Sequence, residues 1–323
     1  MISAIAITGP TASGKTELSL RLATALGCEI ISCDSMQIYR GMDIGTAKAT
    51  PDEQARVRHH LIDFLSPTES FSVQDYREAA IAAAKEVTSR GKIPLFVGGT
   101  GLYIDAIMRA DTLTSVPESD RAFRDELLSS VKTEEDKERL WQRLFEVDPD
   151  SATTIHKNNL RRVVRALEIF EATGKPKSYF DKLSKTAEGE VDLLMFTLDF
   201  QNRDILYRRV DERVDKMIEA GLVEEVRGLA EAALLPNDST AAQAIGYKEI
   251  IEYLDGGSTL DEAIELIKLS SRRYAKRQLT WFRHEKDAVV ITVDDGDAMR
   301  SKETVLAEML GVAEAFINKA KNQ

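Results

Sequence analysis

One short run near the start of the chain constrains its fold more than any other feature. Gly9-Pro10-Thr11-Ala12-Ser13-Gly14-Lys15-Thr16 follows an apolar stretch, Ile2 to Thr8, and precedes a helical pattern that extends to Leu26. This order of strand, glycine-framed loop and helix is the context of a P-loop. Backbone N–H groups in such a loop and at the helix N-terminus converge on one point, where they bind phosphate oxygens. The spacing therefore predicts a polyphosphate or pyrophosphate site at the end of a buried strand.

Two side chains of this loop have predicted roles. Lys15 would place a cation over the terminal phosphates, and Thr16 would supply a hydroxyl to a bound Mg²⁺. The alternative is a tight glycine turn that merely joins strand to helix, which the full spacing and both flanks disfavour. The motif alone does not distinguish ATP or GTP, which such loops commonly hold, from another diphosphate.

Composition limits the classes of protein that this chain can belong to. Its 323 residues are enough for one large domain or two unequal ones, and no apolar run approaches membrane-spanning length. We expect a cytoplasmic protein, because the N-terminus lacks a signal-peptide pattern and Cys28 and Cys33 are typical of buried, reduced thiols. The net charge of −11 argues against non-specific nucleic-acid binding, although two segments of the chain are strongly basic.

Strand-like and helix-like segments alternate in the first part of the chain. We predict helices over Lys15–Leu26 and Val73–Arg90, and parallel strands at Ile2–Thr8, Glu29–Ser32 and Ile93–Val97. This alternation is typical of an α/β fold with a doubly wound parallel sheet, in which ligands bind outside the carboxyl ends of the strands. Three loops should therefore converge on one site: the P-loop, residues 33–37 and residues 98–101.

The middle of the chain has a different pattern. Residues 119–182 indicate consecutive helices without a strand, interrupted at Asp148-Pro149 and Gly174-Lys175-Pro176. Strand character returns at Val191–Asp199 and Ala288–Val293, with long amphipathic helices over 204–283 and a helix at the C-terminus. We therefore predict a P-loop NTPase-like core formed by residues 1–112 and 188–323, with an all-helical insertion domain at 113–187.

Asp34 and Thr100 follow two of the predicted strands. Asp34 could serve as a general base or hold Mg²⁺ through water, and the alternative is a turn cap, which Asp commonly supplies. Many P-loop NTPases place an Asp after the strand that here ends in Gly98, Gly99 and Thr100, so an ordinary ATPase is disfavoured. The two glycines permit a close approach of backbone to ligand, or they form a simple turn.

Two basic segments stand out in this acidic chain. One spans Lys268–Lys286 and interleaves its cations with Tyr274, Trp281 and Phe282; the other spans His156–Arg165. Each is either a solvated helix face or part of a groove in which cations contact phosphates and aromatic rings stack on unpaired bases. Arg203, which precedes a predicted helix, is either a surface residue or a cation that neutralises a leaving pyrophosphate.

Taken together, these segments resemble the tRNA dimethylallyltransferase (tRNA isopentenyltransferase) family over nearly the whole chain and in family order. The matching stretches are GPTASGKT from Gly9, DSMQIYRGMDIGTAK from Asp34, VGGTGLY from Val97, RVVRALEIF from Arg162, RDILYRRVDERVDKMIEAGLVEEV from Arg203, IGYKE from Ile245 and YAKRQLTWFR from Tyr274.

The resemblance implies a reaction. The P-loop, Gly9 to Thr16, would hold the diphosphate of dimethylallyl diphosphate rather than ATP, and the prenyl group would pass to N6 of the adenosine next to the anticodon. Asp34 would deprotonate N6, Thr100 would lie at the reacting centre, and Arg203 would join Lys15 and Mg²⁺ at Thr16 in neutralising the pyrophosphate.

The resemblance also implies tRNA contacts, with the helical insertion acting as a clamp on RNA. The target base must leave the stacked anticodon loop to enter the pocket. The residues assigned to tRNA are Asp34, Ser35, Met36, Gln37, Thr100, Arg124, Arg161, Arg162, Arg165, Gln243, Ile245, Gly246, Tyr247, Lys248, Lys276, Arg277, Gln278, Trp281 and Arg283. We expect a monomer, and the rival functions are a P-loop small-molecule kinase, a prenyltransferase of free adenine nucleotides and a non-catalytic RNA-binding module.

Overall fold

The core of the protein is a six-stranded sheet whose strands are all parallel. The computed structural model describes residues 1–108, 121–186 and 189–321. In these ranges the strands are β1 (Ile2–Thr8), β2 (Cys28–Ser32), β3 (His59–His60), β4 (Ile93–Val97), β5 (Val191–Asp199) and β6 (Val289–Thr292). Their spatial order is β3-β2-β4-β1-β5-β6. The α/β fold predicted from the alternation of strands and helices is confirmed.

Strand β1 lies between β4 and β5 and is buried on both faces. Ile5 and Ile7 pack into one apolar cluster and Ala4 and Ala6 into another, because successive side chains of a strand point to opposite faces. A strand covered on both sides is predominantly apolar, which explains the composition of Ile2–Thr8, where only Ser3 and Thr8 are polar. The bounds predicted for β1, β4 and β5 are confirmed, whereas β2 begins one residue earlier and β6 is shorter at both ends.

Outside the insertion, helices lie before and after β5 in the chain, and some of them cover the two faces of the sheet. Those that precede β5 in the chain are α1 (Lys15–Leu26), α2 (Pro51–Arg56), α3 (Val73–Ser89) and α4 (Gly101–Met108). Those that follow it are α10 (Arg203–Glu219), α11 (Leu222–Glu231), α12 (Tyr247–Leu254), α13 (Leu260–Phe282) and α14 (Lys302–Lys321). Helices α1 and α14 belong to the cluster around Ile5 and Ile7, while α3 and α4 belong to the cluster around Ala4 and Ala6.

A second compact unit comprises residues 109–189, and the first comprises residues 1–108 and 190–323. The described part of the second unit contains no strand, as predicted for the insertion; its helices are α5 (Arg121–Ser129), α6 (Glu134–Val147), α7 (Pro149–Thr154), α8 (Leu160–Thr173) and α9 (Lys177–Thr186). Asp148 is fully buried between α6 and α7, where its carboxylate accepts from Ser151 N (3.1 Å) and Ser178 N (3.0 Å). The domain boundaries predicted at 112/113 and 187/188 lie outside the described residues.

A third apolar cluster of the first unit joins α11 and α12 to the chain between Met36 and Phe71. Glu225 of α11 holds this segment, since its carboxylate accepts from the backbone N–H groups of Asp43, Ile44 and Gly45 at 2.7 to 3.1 Å. Cys28 and Cys33 are buried free thiols, as expected. None of the helices in the described ranges is both long enough and apolar enough to cross a membrane.

Candidate active site at the carboxyl edge of the sheet

Three loops meet at the carboxyl ends of β1, β2 and β4. Because these strands are neighbours, backbone hydrogen bonds continue beyond them: Cys33 N donates to Val97 O (2.7 Å), Gly98 N to Ile7 O (3.2 Å) and Thr100 N to Cys33 O (3.2 Å). A Cβ on Gly98 would overlap the carbonyl group of Cys33, so only glycine permits this approach. The predicted convergence of the P-loop with residues 33–37 and 98–101 is confirmed.

The P-loop has the backbone shape of a phosphate-binding loop. Gly9, Ala12 and Gly14 adopt positive φ angles of 134°, 62° and 93°, and left-handed residues of this kind are typical of backbone that forms anion-binding concavities. A Cβ on Gly9 would lie 2.7 Å from Leu198 O of the neighbouring strand β5. Gly14 caps α1 without a side-chain hydrogen bond, so the first N–H groups of the helix stay free for an anion.

Two polar side chains of the loop are suited to receive a phosphate. The Ser13 hydroxyl is buried and has no hydrogen-bond partner among the described residues, a state that costs free energy until a ligand satisfies it. Lys15 Nζ donates to two carbonyl oxygens of its own loop, Gly9 O (3.0 Å) and Pro10 O (2.7 Å). Neither acceptor is charged, and no carboxylate of the described ranges forms a direct ion pair with this lysine, so its charge is available to an anion.

Lys15 shares the site with Arg213 of α10 and Asp34. Burial and, to a smaller extent, the positive charge of Arg213 lower the pKa of Lys15 to about 7, although the carboxylate of Asp34 partly offsets both effects. Burial also lowers the pKa of Arg213, which Asp34 again opposes. Two partly buried cations so close together repel each other, and a multiply charged anion between them would relieve that repulsion.

Asp34 serves as a turn cap and also keeps one oxygen available. Its Oδ1 accepts from Met36 N (2.9 Å) and Gln37 N (3.4 Å), which fixes the turn and orients the carboxylate. Its Oδ2 has no hydrogen bond within the ranges that the structure describes. The two interpretations offered by the sequence, a structural cap and a reactive carboxylate, are therefore compatible. The Gln37 amide is engaged, donating to Thr46 O and Ala47 O at 3.3 Å.

Thr100 lies beside Asp34 and contacts a residue of α13. Its Oγ1 accepts from Ser35 N (3.2 Å) and is 3.5 Å from Ser35 Oγ. Tyr274 of α13 lies near Thr100 and Asp34, and burial raises the pKa of its phenol to about 12. The surrounding cations in the sequence favour a place for Tyr274 in a stacking surface for bases, whereas its phenol lies at the reacting edge, a position that this pattern could not indicate.

Gln278 is buried and bridges two of the three loops. Its Oε1 accepts from Thr11 N of the P-loop (2.8 Å), and its Nε2 donates to Gly99 O (2.9 Å). The side chain has only 6% of its surface exposed. The prediction that Gln278 contacts RNA is therefore corrected: both ends of its amide are occupied inside the protein.

The arginine that reaches the phosphate loop is not the predicted one. Arg203 is the first residue of α10 and is exposed, with no interaction to the P-loop in the described part of the chain. Ten residues further on, about 15 Å along a helix, Arg213 interacts with Lys15 and Asp34 and donates to Thr46 O (3.4 Å). Arg209, one turn earlier on the same face, donates to Ala12 O (2.9 Å). The structure therefore favours Arg213 for the role assigned to Arg203.

A magnesium ion fits this site only as a partner of bound phosphate. Thr16, the predicted ligand, is exposed in the first turn of α1, and its hydroxyl has no hydrogen bond within the described ranges. No group of three or more His, Cys, Asp or Glu side chains in those ranges could hold a metal. Mg²⁺ commonly takes one or two protein oxygens and completes its shell with phosphate and water. The residues present are compatible with that mode.

Comparisons with known proteins identify the family. The sequence model described as IPP transferase matches residues 37–285, which begin after the P-loop and Asp34. A tRNA dimethylallyltransferase of Geobacillus thermodenitrificans is 50% identical over 282 residues, 87% of each chain. One of Geobacillus kaustophilus is 48% identical over 297 residues, 92% of each chain. The chain belongs to the tRNA dimethylallyltransferase family.

Solved structures agree with this family assignment. The full-length tRNA isopentenylpyrophosphate transferase of Bacillus halodurans is 42% identical, with a TM-score of 0.73 and 99% of each chain covered. A eukaryotic dimethylallyltransferase solved while acting on tRNA is 29% identical, with a TM-score of 0.83 over 99% of this chain and 80% of that one.

In this family member, several residues predicted to contact tRNA are buried. Tyr247 is fully buried, its hydroxyl donates to Glu225 Oε1 (2.6 Å), and a Cβ on Gly45 would overlap its ring. Gly246 is buried with a φ of 96°, and Ile245 packs against the same apolar cluster. The prediction is corrected for Tyr247 and Gly246, which stabilise this part of the fold from inside. Gln243 and Lys248, from the same predicted set, are exposed.

Some of the residues of α13 that were predicted to bind tRNA are exposed at the surface, and others are engaged within the protein. Lys276 and Arg277 are exposed, and with Thr280, Trp281 and His284 they line a groove. The Arg277 guanidinium lies 5.5 Å from the centre of the Tyr274 ring. Arg283 is engaged differently, since its guanidinium donates to both carboxylate oxygens of Asp199 at 2.8 and 3.0 Å. A cation held in this way contributes less to an RNA surface than Arg277 does.

The arginines of the helical unit that were predicted to bind tRNA also fall into ion-paired and exposed side chains. Arg124 forms a bidentate ion pair with the buried carboxylate of Glu168 (2.7 and 3.1 Å), and Arg165 donates to Glu168 Oε2 (3.4 Å). Arg161 and Arg162 are exposed at the start of α8. The charge of Glu168 is thus shared by two arginines, while Arg161 and Arg162 extend into solvent, where a polyanion could reach them.

Proposed function

We propose that this protein transfers the dimethylallyl group of dimethylallyl diphosphate to N6 of the adenosine on the 3′ side of the anticodon in tRNA, with release of pyrophosphate. The observation that carries the proposal is the meeting of a phosphate loop, two cations and one available carboxylate oxygen at a single edge of the sheet. That set serves a reaction in which a diphosphate leaves and a proton is removed.

Departure of the diphosphate needs concentrated positive charge. The carbon–oxygen bond of an allylic diphosphate breaks with its electron pair going to oxygen, and the allyl cation left behind is stabilised by resonance. The free N–H groups of the P-loop, Lys15 and Arg213 surround the position where the negative charge grows, which lowers the barrier electrostatically. Mg²⁺ at Thr16 would supply further neutralisation of the diphosphate when bound.

Attack by the base requires a positioned carboxylate. The lone pair of an adenine exocyclic amine is delocalised into the ring, so N6 becomes an adequate nucleophile only as it loses a proton. In the proposed step a bond forms from N6 to the allylic carbon, the carbon–oxygen bond breaks, and the N6 proton passes to Oδ2 of Asp34. Thr100 and Tyr274 lie beside Asp34 and would orient the adenine edge.

The acceptor in this proposal is an RNA whose target base is turned out of its stack. The exposed cations at Lys276 and Arg277 border the groove on α13, and Arg161 and Arg162 form a basic surface on the helical unit. Such local patches allow an acidic protein to bind a polyanion. The proposal needs one copy of the chain, because all the residues named belong to it, and a tRNA substrate is consistent with a cytoplasmic protein.

A pyrophosphate-release assay tests this proposal against a kinase. The protein is incubated with Mg²⁺, unmodified tRNA and either dimethylallyl diphosphate or ATP. We expect pyrophosphate from the allylic donor only when tRNA is present, and no phosphate transfer from ATP. Consumption of ATP without use of the allylic donor would instead establish a P-loop kinase.

Diphosphate binding should weaken as pH rises through neutrality. The pKa of Lys15 in the free protein is about 7, and a bound diphosphate raises it, so above pH 7 binding takes up a proton. We expect the affinity for pyrophosphate to fall by up to about tenfold per pH unit between pH 7 and 9. Calorimetry in buffers of different ionisation enthalpy measures the proton uptake. Lys15→Met should abolish that uptake, and unchanged uptake in this variant would contradict the assignment.

The two arginines on α13 provide a matched pair for RNA binding. Arg277→Ala should weaken binding of an anticodon stem-loop and reduce the slope of log affinity against log salt by about one, since one phosphate contact is lost. Arg283→Ala should change that slope less, because the Asp199 carboxylate already engages its guanidinium. Fluorescence anisotropy at several salt concentrations measures both slopes. Equal loss of slope in both variants would contradict the distinction.

A further inference from the structure

We propose that Gln278 is a positioning residue of the transferase reaction: its amide fixes the P-loop against the Gly99–Thr100 loop, so that donor and acceptor groups keep their separation. The inference rests on the proposed function, and it concerns a buried link between the two loops rather than a group that touches substrate.

The Gln278 amide forms one hydrogen bond to each of the two loops. Oε1 can only accept, and it receives the Thr11 N–H at 2.8 Å; Nε2 can only donate, and it gives a proton to Gly99 O at 2.9 Å. The bond to Gly99 O is buried and the bond from Thr11 N is partly buried, and an unmade hydrogen bond is costly in such surroundings, so separating the loops would leave polar groups unsatisfied. A primary amide supplies this donor and acceptor on one planar, uncharged group.

The surroundings show that the position of this amide is tightly fixed. A Cβ on Gly99 would overlap Gln278 Nε2, so residue 99 is a glycine because the amide passes directly over it. One turn earlier on α13, Tyr274 lies close to Thr100 and to Gln278 itself. Helix α13 therefore contacts the phosphate loop, the glycine loop and the reacting threonine from one face.

Bond formation requires the allylic carbon and the adenine N6 to be placed accurately relative to each other. The allylic carbon is held through its diphosphate on the P-loop, whereas the adenine is placed by Asp34 and Thr100 on the other two loops. A misplacement of about 1 Å between reacting groups can cost about a hundredfold in rate. Loss of the two Gln278 hydrogen bonds should therefore reduce kcat. The P-loop, no longer held by Gln278, should also bind diphosphate less well.

The test compares Gln278→Met with the wild-type chain in two binding assays and one rate assay. We expect pyrophosphate affinity without RNA to fall about tenfold, kcat to fall about a hundredfold, and affinity for the anticodon stem-loop to change less than twofold. Gln142→Met, the same substitution on the exposed face of α6, is the control for the change itself. Gln278→Glu keeps the volume and the acceptor but loses the donor, and it should show the same pattern if the methionine variant folds poorly.

A double-mutant cycle adds a readout that general destabilisation would not reproduce. Gly99→Ala should weaken pyrophosphate binding in the wild type, because its methyl group displaces the amide, but should cost much less in Gln278→Ala, where that space is empty. Additive losses would overturn the inference, as would lower RNA affinity with unchanged pyrophosphate binding, which is the result for a direct RNA contact. A wild-type chain that binds no pyrophosphate would overturn the proposed function, and this inference with it.

Discussion

Replacement of Asp34 by Asn is expected to reduce kcat by about a thousandfold while tRNA affinity stays within a fewfold of wild type. The loss follows from removing a general base, an effect that commonly amounts to 10² to 10⁴ in rate. The fold should survive, because the Asn side-chain oxygen can still accept from Met36 N and Gln37 N. Single-turnover kinetics measure the rate, and filter binding measures the affinity.

The control for this variant is Asp52→Asn, which makes the same change on the exposed first turn of α2. We expect its rate and affinity to match those of the wild type. A near-normal single-turnover rate for Asp34→Asn would contradict the base role and leave Asp34 as a turn cap only. Lost tRNA affinity with an unchanged rate on bound tRNA would place its contribution in recognition.

Replacement of Arg213 by Ala is expected to reduce kcat by 10² to 10³, the usual effect of removing one group that stabilises developing negative charge. The guanidinium lies near Lys15 and Asp34, where the leaving diphosphate is expected to bind. Arg213→Lys should retain only part of the wild-type rate, since an ammonium lacks the planar fork that bridges two phosphate oxygens. Steady-state kinetics with saturating tRNA measure the effect.

Arg203→Ala is the matched control for this second prediction. Arg203 lies on the same helix but is exposed and about 15 Å away along the axis, so its loss should change kcat less than fivefold. A large loss at Arg203 together with a small one at Arg213 would reverse the assignment made from the structure and restore the one made from the sequence.

The framework of the fold could be predicted from local sequence. The P-loop motif requires a strand before it and a helix after it, and the bounds of β1 and α1 agree with that expectation. The strands at 93–97 and 191–199 are short, mostly apolar segments, and residues 94–96 and 195–198 are buried, which is the pattern of a central parallel strand. The position of Asp34 and Thr100 at one edge then follows from the topology of a parallel sheet.

The choice among the arginines of α10 could not be predicted in the same way. A helix that follows a parallel strand usually runs back along the sheet, which favours its first residue, Arg203, for a role at the carboxyl edge. Here Arg209 and Arg213 both contact loops at that edge, so the helix passes along it. The four-residue spacing of those two arginines indicates a shared face, but only the tertiary structure shows what that face contacts.

Among the residues predicted to contact tRNA, the sequence could not distinguish those that are exposed from those that are buried. Tyr247 and Gln278 occur in motifs with Lys248 and Arg277, and a polar residue beside a cation is readily assigned to the same surface. In a helix, however, adjacent residues point about 100° apart, so Gln278 faces the loops while Arg277 faces solvent. The two-residue strand β3 was missed because His59 and His60 are too short a run to show any periodicity.

Mass spectrometry of the nucleosides of tRNA tests the central claim most directly. Unmodified tRNA is incubated with the protein, Mg²⁺ and dimethylallyl diphosphate, digested and compared with the same tRNA incubated with Lys15→Ala protein. We predict a mass increase of one dimethylallyl group on the adenosine next to the anticodon, and none with the variant. Prenylation of free adenine nucleotides but not of tRNA, or no mass increase on adenosine with intact donor remaining, would contradict the account.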